Sequence, residues 1–237
     1  MAEMIITERS NIERIANKIR EKTKKTEGLT FEEMESAIDD VGRDIAMEDG
    51  LVSRTLTEYI NNTVTRIGNY AFGNFSSLEY VSLPKVTEID GGNNFASCAK
   101  LRAINIPNLQ KTVSNAGNHF RQCTSLEELR VPLFNNTLAV SGCTSLKLYE
   151  VGTPYNIPAS TFTNLTSLKT LILHCTKVVP LANISAFTGT PFASGGTGGK
   201  VYVPQQYIEN YKTATNWSAL YEAGTCEFVA IEGSEYE

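Results

Sequence analysis

The chain has 237 residues, a formal net charge of −5, two histidines and five cysteines. It carries no basic block able to track a phosphate backbone, which argues against nucleic acid as a partner. No stretch approaches the roughly 20 apolar residues of a membrane span. With an odd cysteine count and no C-x-x-C pair, neither a disulfide framework nor a zinc site is indicated.

Residues 1–50 hold 13 acids and 8 bases, whereas the remainder is balanced at 13 each. This change near Gly50 marks a domain boundary. The first residues contain no apolar core of signal-peptide length, so synthesis in the cytoplasm without general secretory export is expected. Ile12, Ile15, Ala16 and Ile19 fall on one helical face. Ser10 and Glu13 have capping-box spacing, and Gly28 ends the pattern. Thr30 and Glu33 repeat the box ahead of a second apolar stripe. Residues 1–49 therefore read as a small α-helical hairpin whose greasy face is Ile12, Ile15, Ile19, Phe31, Met34, Ile38 and Val41. That face must cap the rest of the chain, meet a copy of itself in a homo-oligomer, or dock on another protein. We expect an assembly element.

From residue 51 onward one pattern recurs, F-x-x-C-x-S-L-x-x-V-x-L-P. Its clearest copies are residues 72–84 (FGNFSSLEYVSLP), 95–107 (FASCAKLRAINIP) and 120–132 (FRQCTSLEELRVP). Looser ones occupy residues 140–151 and 162–173. The anchor leucines Leu78, Leu101, Leu126, Leu146 and Leu168 are 23, 25, 20 and 22 residues apart. Such a period signals a solenoid. One coil offers about five inward apolar side chains, each worth roughly 1.5–3 kcal/mol. Ordering its twenty or so residues costs roughly 1–2 kcal/mol each in backbone entropy. A coil is stable only in a stack.

A short strand of alternating pattern follows each anchor leucine. Val81 and Leu83 point inward, while Tyr80 and Ser82 point outward. Stacked in parallel, these strands are expected to form one continuous outward face. Its candidate binding residues are Tyr80, Ser82, Asn105, Glu128, Arg130, Glu150, Thr170 and Ile172. Replacing Arg130 with Ala is expected to be silent for stability. Cys98, Cys123 and Cys143 share a column with Phe75 and Leu165, as buried small apolar residues do.

The last part departs from the period. A strand at residues 201–204 precedes a helix-like stretch, 205–220, whose Trp217 is suited to closing the open end of the stack. Residues 50–220 form the repeat domain with its cap; 221–237 are a tail, with no reason for order at 233–237. His119 and His174 read as exposed loop or rim residues without a triad or metal partner. The glycine-rich loop before Lys200 lacks the remaining residues of a phosphate-binding loop and leads into a strand, so it is a turn. No cofactor, metal or catalytic group is expected, and the chain is expected not to be an enzyme.

The repeat unit, extended to V-T-x-I-x-x-x-A-F-x-x-C-x-S-L-x-x-V-x-L-P, resembles the BspA-like class of bacterial leucine-rich repeats from about residue 51 to 220. The fit is imperfect at Val140 and Gly152, where Phe and Pro are expected. The hairpin resembles the start of tail-associated structural proteins in phages and prophages. Together the resemblances imply a repeat solenoid with a parallel β-sheet face behind an α-helical hairpin. The function they imply is a non-enzymatic structural or binding module of a phage tail or baseplate. It would attach to the virion through residues 1–49 and present its repeats to a protein or cell-surface receptor. The alternative is a bacterial cell-surface adhesin of the same repeat class, binding host or bacterial proteins.

Overall fold

Two residues after its anchor, aromatic in all but the Val140 coil, each coil turns through a left-handed backbone. Asn74, Ser97, Gln122, Gly142, Asn164 and Gly189 all have φ between 62° and 81°. For a residue with a Cβ this conformation costs about 1–2 kcal/mol. The return is a backbone N–H aimed at the next coil. Asn74, Ser97, Gln122 and Asn164 donate to the carbonyls of Ala96, Arg121, Ser141 and Thr188, each at 2.8 Å. The anchors do the same: the N–H groups of Phe72, Phe95 and Phe162 reach Asn94, His119 and Ala186.

In this computed structural model the described residues are 54–113 and 117–237. The chain divides into two units between Ser53 and Arg54. The expected hairpin and its assembly face lie outside the described residues.

The cysteine column has a role that apolar packing alone does not give it. Cys98, Cys123 and Cys143 donate their thiols to the carbonyls of Phe72, Phe95 and Phe120 in the preceding coil, at 3.0, 3.1 and 3.0 Å. Phe75 and Leu165, in the same column, lack such a donor. All five cysteines are free and buried. Burial pushes the Cys98 thiol up to about 11 and Cys226 to about 12. The neighbouring Cys143 thiol, together with burial, pushes Cys123 far upward.

The strands form three parallel sheets. One contains β1 (Glu58–Ile60), β3 (Tyr80–Ser82) and β5 (Ala103–Asn105). A second, of order β11-β10-β9-β8-β7, contains β7 (Glu128–Val131), β8 (Leu148–Val151), β9 (Thr170–Leu173), β10 (Gly199–Val203) and β11 (Cys226–Ala230). A third pairs the two-residue strands β2 (Arg66–Ile67), β4 (Glu88–Ile89) and β6 (Lys111–Thr112) on another side of the coils. No ladder joins β5 to β7; across that step Glu127 N–H bonds Arg102 O at 3.2 Å. The break falls where the longest leucine spacing, 25 residues, gives way to the shortest, 20.

The anchor rings form the spine of the core. Phe72, Phe95 and Phe120 stack at 5.1 and 5.2 Å with planes within 7°. Val140 interrupts the column, and Tyr149 of β8 fills the space. Its ring meets Phe162 edge-on at 5.2 Å, and its hydroxyl accepts from Leu138 N–H at 2.8 Å. Gly152 stands where Pro is expected because a Cβ there would come within 2.9 Å of Pro132 O.

At the far end no further coil exists to satisfy Val179. Tyr211 Oη accepts its N–H at 2.9 Å and Trp217 Nε1 donates to its carbonyl at 2.8 Å. These side chains come from α1 (Ile208–Thr213) and α2 (Trp217–Glu222), two short helices in place of the single helical stretch expected. Residues 221–237 are not a loose tail. β11 pairs in register with β10, Val201 opposite Phe228, and residues 231–237 fold back onto the sheet.

Leu126 is fully buried, so Leu126→Ala is expected to cost about 2–5 kcal/mol in urea unfolding. The native thiols should react slowly with an alkylating reagent until denaturant is added.

Candidate functional site

Alternation along each strand sets the outward face. Val81, Leu129 and Leu171 are buried, so Tyr80, Glu128, Arg130 and Thr170 stand on the opposite side. Cross-strand register puts Ser82 beside Asn105 and Tyr80 beside Ala103. In the second sheet Glu128 faces Leu148, Arg130 faces Glu150, Leu148 faces Thr170, and Glu150 faces Ile172.

The face is not uniformly open. Asn105, Ala103 and Glu128 are exposed, and Tyr80, Arg130 and Thr170 are half-buried. Ser82 is buried beside Asn105, whose Nδ2 donates to its hydroxyl at 3.0 Å. Between β5 and β7, where the ladder breaks, lies a groove of about 500 Å³ walled by Arg102, Asn105, Pro107, Glu128, Arg130 and Pro132. Through it the inward Ile104 comes within reach of solvent.

Ile172 does not belong to an exposed face. It is fully buried, and Leu148 nearly so, because Ile231 packs on both and Tyr202 and Tyr236 close over them. Burying these two side chains contributes roughly 1.5–3 kcal/mol each. The signals were there in the sequence: apolar residues at two outward positions, and Ile231 and Tyr236 in an otherwise polar tail.

Beside this cover lies a chain of charges. Arg130 Nε meets Glu128 Oε2 at 2.9 Å, and its Nη1 meets Glu150 Oε2 at 3.1 Å. The other oxygen of Glu150 lies 2.7 Å from His174 Nε2. The Tyr236 ring covers the Arg130 guanidinium at 5.5 Å. The Glu150 side chain is 10% exposed against 41% for Arg130. Burial resists ionisation of Glu150, but the His174 and Arg130 contacts outweigh it and hold the carboxyl below its usual range.

Neither histidine is the free rim residue expected. His174 is half-buried on Glu150. His119 is buried, and burial lowers its pKa. Asn94 Nδ2 donates to its Nδ1 at 3.2 Å, which places the ring proton on Nε2. A second polar array lies on the β2-β4-β6 sheet, where Glu88 bridges Arg66 at 3.1 Å and Lys111 at 2.8 Å. Among the described residues no three His, Cys, Asp or Glu side chains converge as a metal site would require. No helix among them is long and apolar enough to cross a membrane.

Arg130 is therefore not a silent position. Arg130→Ala leaves the Glu150 carboxylate short of a partner and should cost about 1–3 kcal/mol at neutral pH. The pH dependence has a definite sign. Arg130 and His174 touch Glu150, and Glu128 and Tyr236 touch Arg130. A depressed carboxyl contributes stability fully above its unfolded value, about 4.3, and loses it as pH falls through the lower folded value. In urea titrations the excess stability of the parent chain over Glu150→Gln should shrink as pH drops below about 4.3.

Comparison with known proteins places these features. A profile of the BspA type leucine rich repeat region matches residues 54–169 in six copies. Among solved structures, the pneumococcal vaccine antigen PcpA is similar with a TM-score of 0.50 and 15% identity, over 74% of this chain and 42% of that one. A leucine rich cell surface protein from Faecalibacterium prausnitzii A2-165 gives a TM-score of 0.45 and 20% identity, over 76% and 49%. The chain thus spans less than half of either structure. No match was found among curated proteins. The repeated aromatic turn, the anchor leucine and the short parallel strand are the features by which residues 54–169, just under half of the chain, resemble the BspA-type leucine-rich repeat region.

Proposed function

We propose that this chain is a non-enzymatic binding module of a bacterial cell-surface protein. It engages a protein partner through the open part of its outward face, from β3 across β5 to β7. The observation that carries this reading is the contrast between the two faces of each strand. Inward positions are buried, whereas Ala103, Asn105 and Glu128 are left uncovered beside a groove at the break in the sheet. A concave wall of mixed polar and aliphatic groups suits a protein surface better than a small reacting molecule. Of the charged groups near it, Glu128, Arg130 and Glu150 are already paired in a chain that ends at His174.

The choice between an adhesin and a virion component favours the adhesin. The reading is supported by the BspA-type repeats and by the likeness to a protein described as a pneumococcal vaccine antigen. The tail-protein reading rests on residues 1–49 alone and gains no support from the comparisons.

The test begins with the full chain on an array of bacterial and host extracellular proteins, followed by affinity measurement on any partner found. Asn105→Arg and Glu128→Arg should each weaken binding by about tenfold or more, as central contacts do. Arg66→Ala and Lys111→Ala, on the other sheet, should leave it unchanged. A partner indifferent to Asn105 and Glu128 would place the interface elsewhere.

A further inference from the structure

We propose that the sheet face beneath residues 231–237 is also interaction surface, and that this tail is its resident, displaceable occupant. The partner segment it yields to shares its chemistry, an aromatic residue flanked by carboxylates. The proposal rests on the binding-module reading and extends it to the covered half of the face.

The first ground is composition. Where the face is open, its second outward column carries Ser82 and Asn105. Under the tail the same column carries Ile172 and Tyr202, with Leu148 diagonal to them. Apolar residues at outward positions of a strand need a partner, and here the partner is a seven-residue segment rather than another layer of the fold.

The second ground is how the segment is held. Ile231 N–H donates to Val203 O at 3.0 Å, the last bond of the sheet. Beyond it, Ser234 bonds back to Ile231 O, Tyr236 N–H donates to Ser234 Oγ, and Gly233 N–H donates to Glu237. All three lie within the tail. One exposed contact, Gln205 N–H to the Glu232 carboxylate at 2.8 Å, ties it elsewhere. With Ile231 N–H kept on Val203 O, residues 232–237 can lift away at the cost of the one exposed bond from Gln205 N–H.

The third ground is the seat itself. Tyr236 meets Tyr202 edge-on at 4.7 Å and covers Arg130 at 5.5 Å, with Glu235 and Glu237 on either side in sequence. Arg130 is also a wall of the open groove. A partner strand lying in that groove therefore arrives beside Tyr236 and reaches the covered patch by replacing it.

Two measurements decide the matter. In hydrogen exchange of the unaltered full chain, the amides of Ser234 and Tyr236 should exchange roughly a hundredfold faster than those of Leu171 and Val201, reporting local opening. Protection equal to that of β10 overturns the proposal without any substitution. In the second, a labelled nine-residue peptide with the sequence of residues 229–237 is the probe. Full-length Tyr236→Ala, whose own tail no longer competes well, should bind it about tenfold more tightly than the parent chain. Adding Arg130→Ala should remove that gain, and a scrambled peptide should not bind. Equal binding to parent and variant, or none to either, makes the tail a fixed cap. If Asn105 and Glu128 substitutions still weaken a partner in that case, the binding reading survives alone. If the peptide behaves as expected while those substitutions do nothing, the open-face reading fails and the displaceable tail stands.

Discussion

Everything in the described unit depends on one constraint: the backbone of each coil must find its hydrogen-bond partners in the next. The left-handed turn after the anchor aromatic meets it by pointing N–H groups along the stack. A lone coil would leave those donors to water and gain no apolar burial, so the repeat is stable only as a row. The cysteines extend the same logic. A thiol is small enough for the core and still donates to the spare lone pair of the Phe carbonyl one coil back. At the last coil Tyr211 and Trp217 replace the missing neighbour with side-chain polar ends.

The inward column then dictates what the outer surface can be. Because strand side chains alternate, fixing Val81, Leu129 and Leu171 inside leaves their neighbours facing out. The surface so made has two halves with different physics. Around β3 and β5 it is more open, with Ala103 and Asn105 exposed and Tyr80 half-buried. Around β8, β9 and β10 it holds an apolar patch, Leu148, Ile172 and Tyr202, covered by Ile231 and Tyr236. Arg130 stands at the junction, touching carboxylates of its own and the next strand and carrying Tyr236 above it. The structural cover and the candidate binding groove therefore share one side chain.

What the sequence made legible followed from its period. The aromatic, cysteine and leucine columns recur at fixed offsets, so their burial and the inward or outward sense of each strand could be read off. Features that depend on coil length or on single neighbours could not. The break between β5 and β7 falls at a change in coil length, and Tyr149, nine residues on in the same coil, takes the place that Val140 leaves beside Phe162. His174 and Glu150 are 24 residues apart, and only the register of β8 with β9 brings them together. The tail looked unstructured because its segment is polar on average. Its order comes from two residues, Ile231 and Tyr236, meeting two others, Leu148 and Ile172, that are apolar where the period calls for outward positions.

The central claim is that the buried columns generate one outward face, open over the first strands and occluded over the later ones. Single cysteines introduced along that face test it most directly, because the native thiols are buried and give a quiet background. The account requires Asn105→Cys and Glu128→Cys to react with a thiol reagent at the rate of a free cysteine, and Thr170→Cys at an intermediate rate. Ile172→Cys must remain protected in the folded chain. Fast labelling at Ile172, or protection at Asn105, would contradict it.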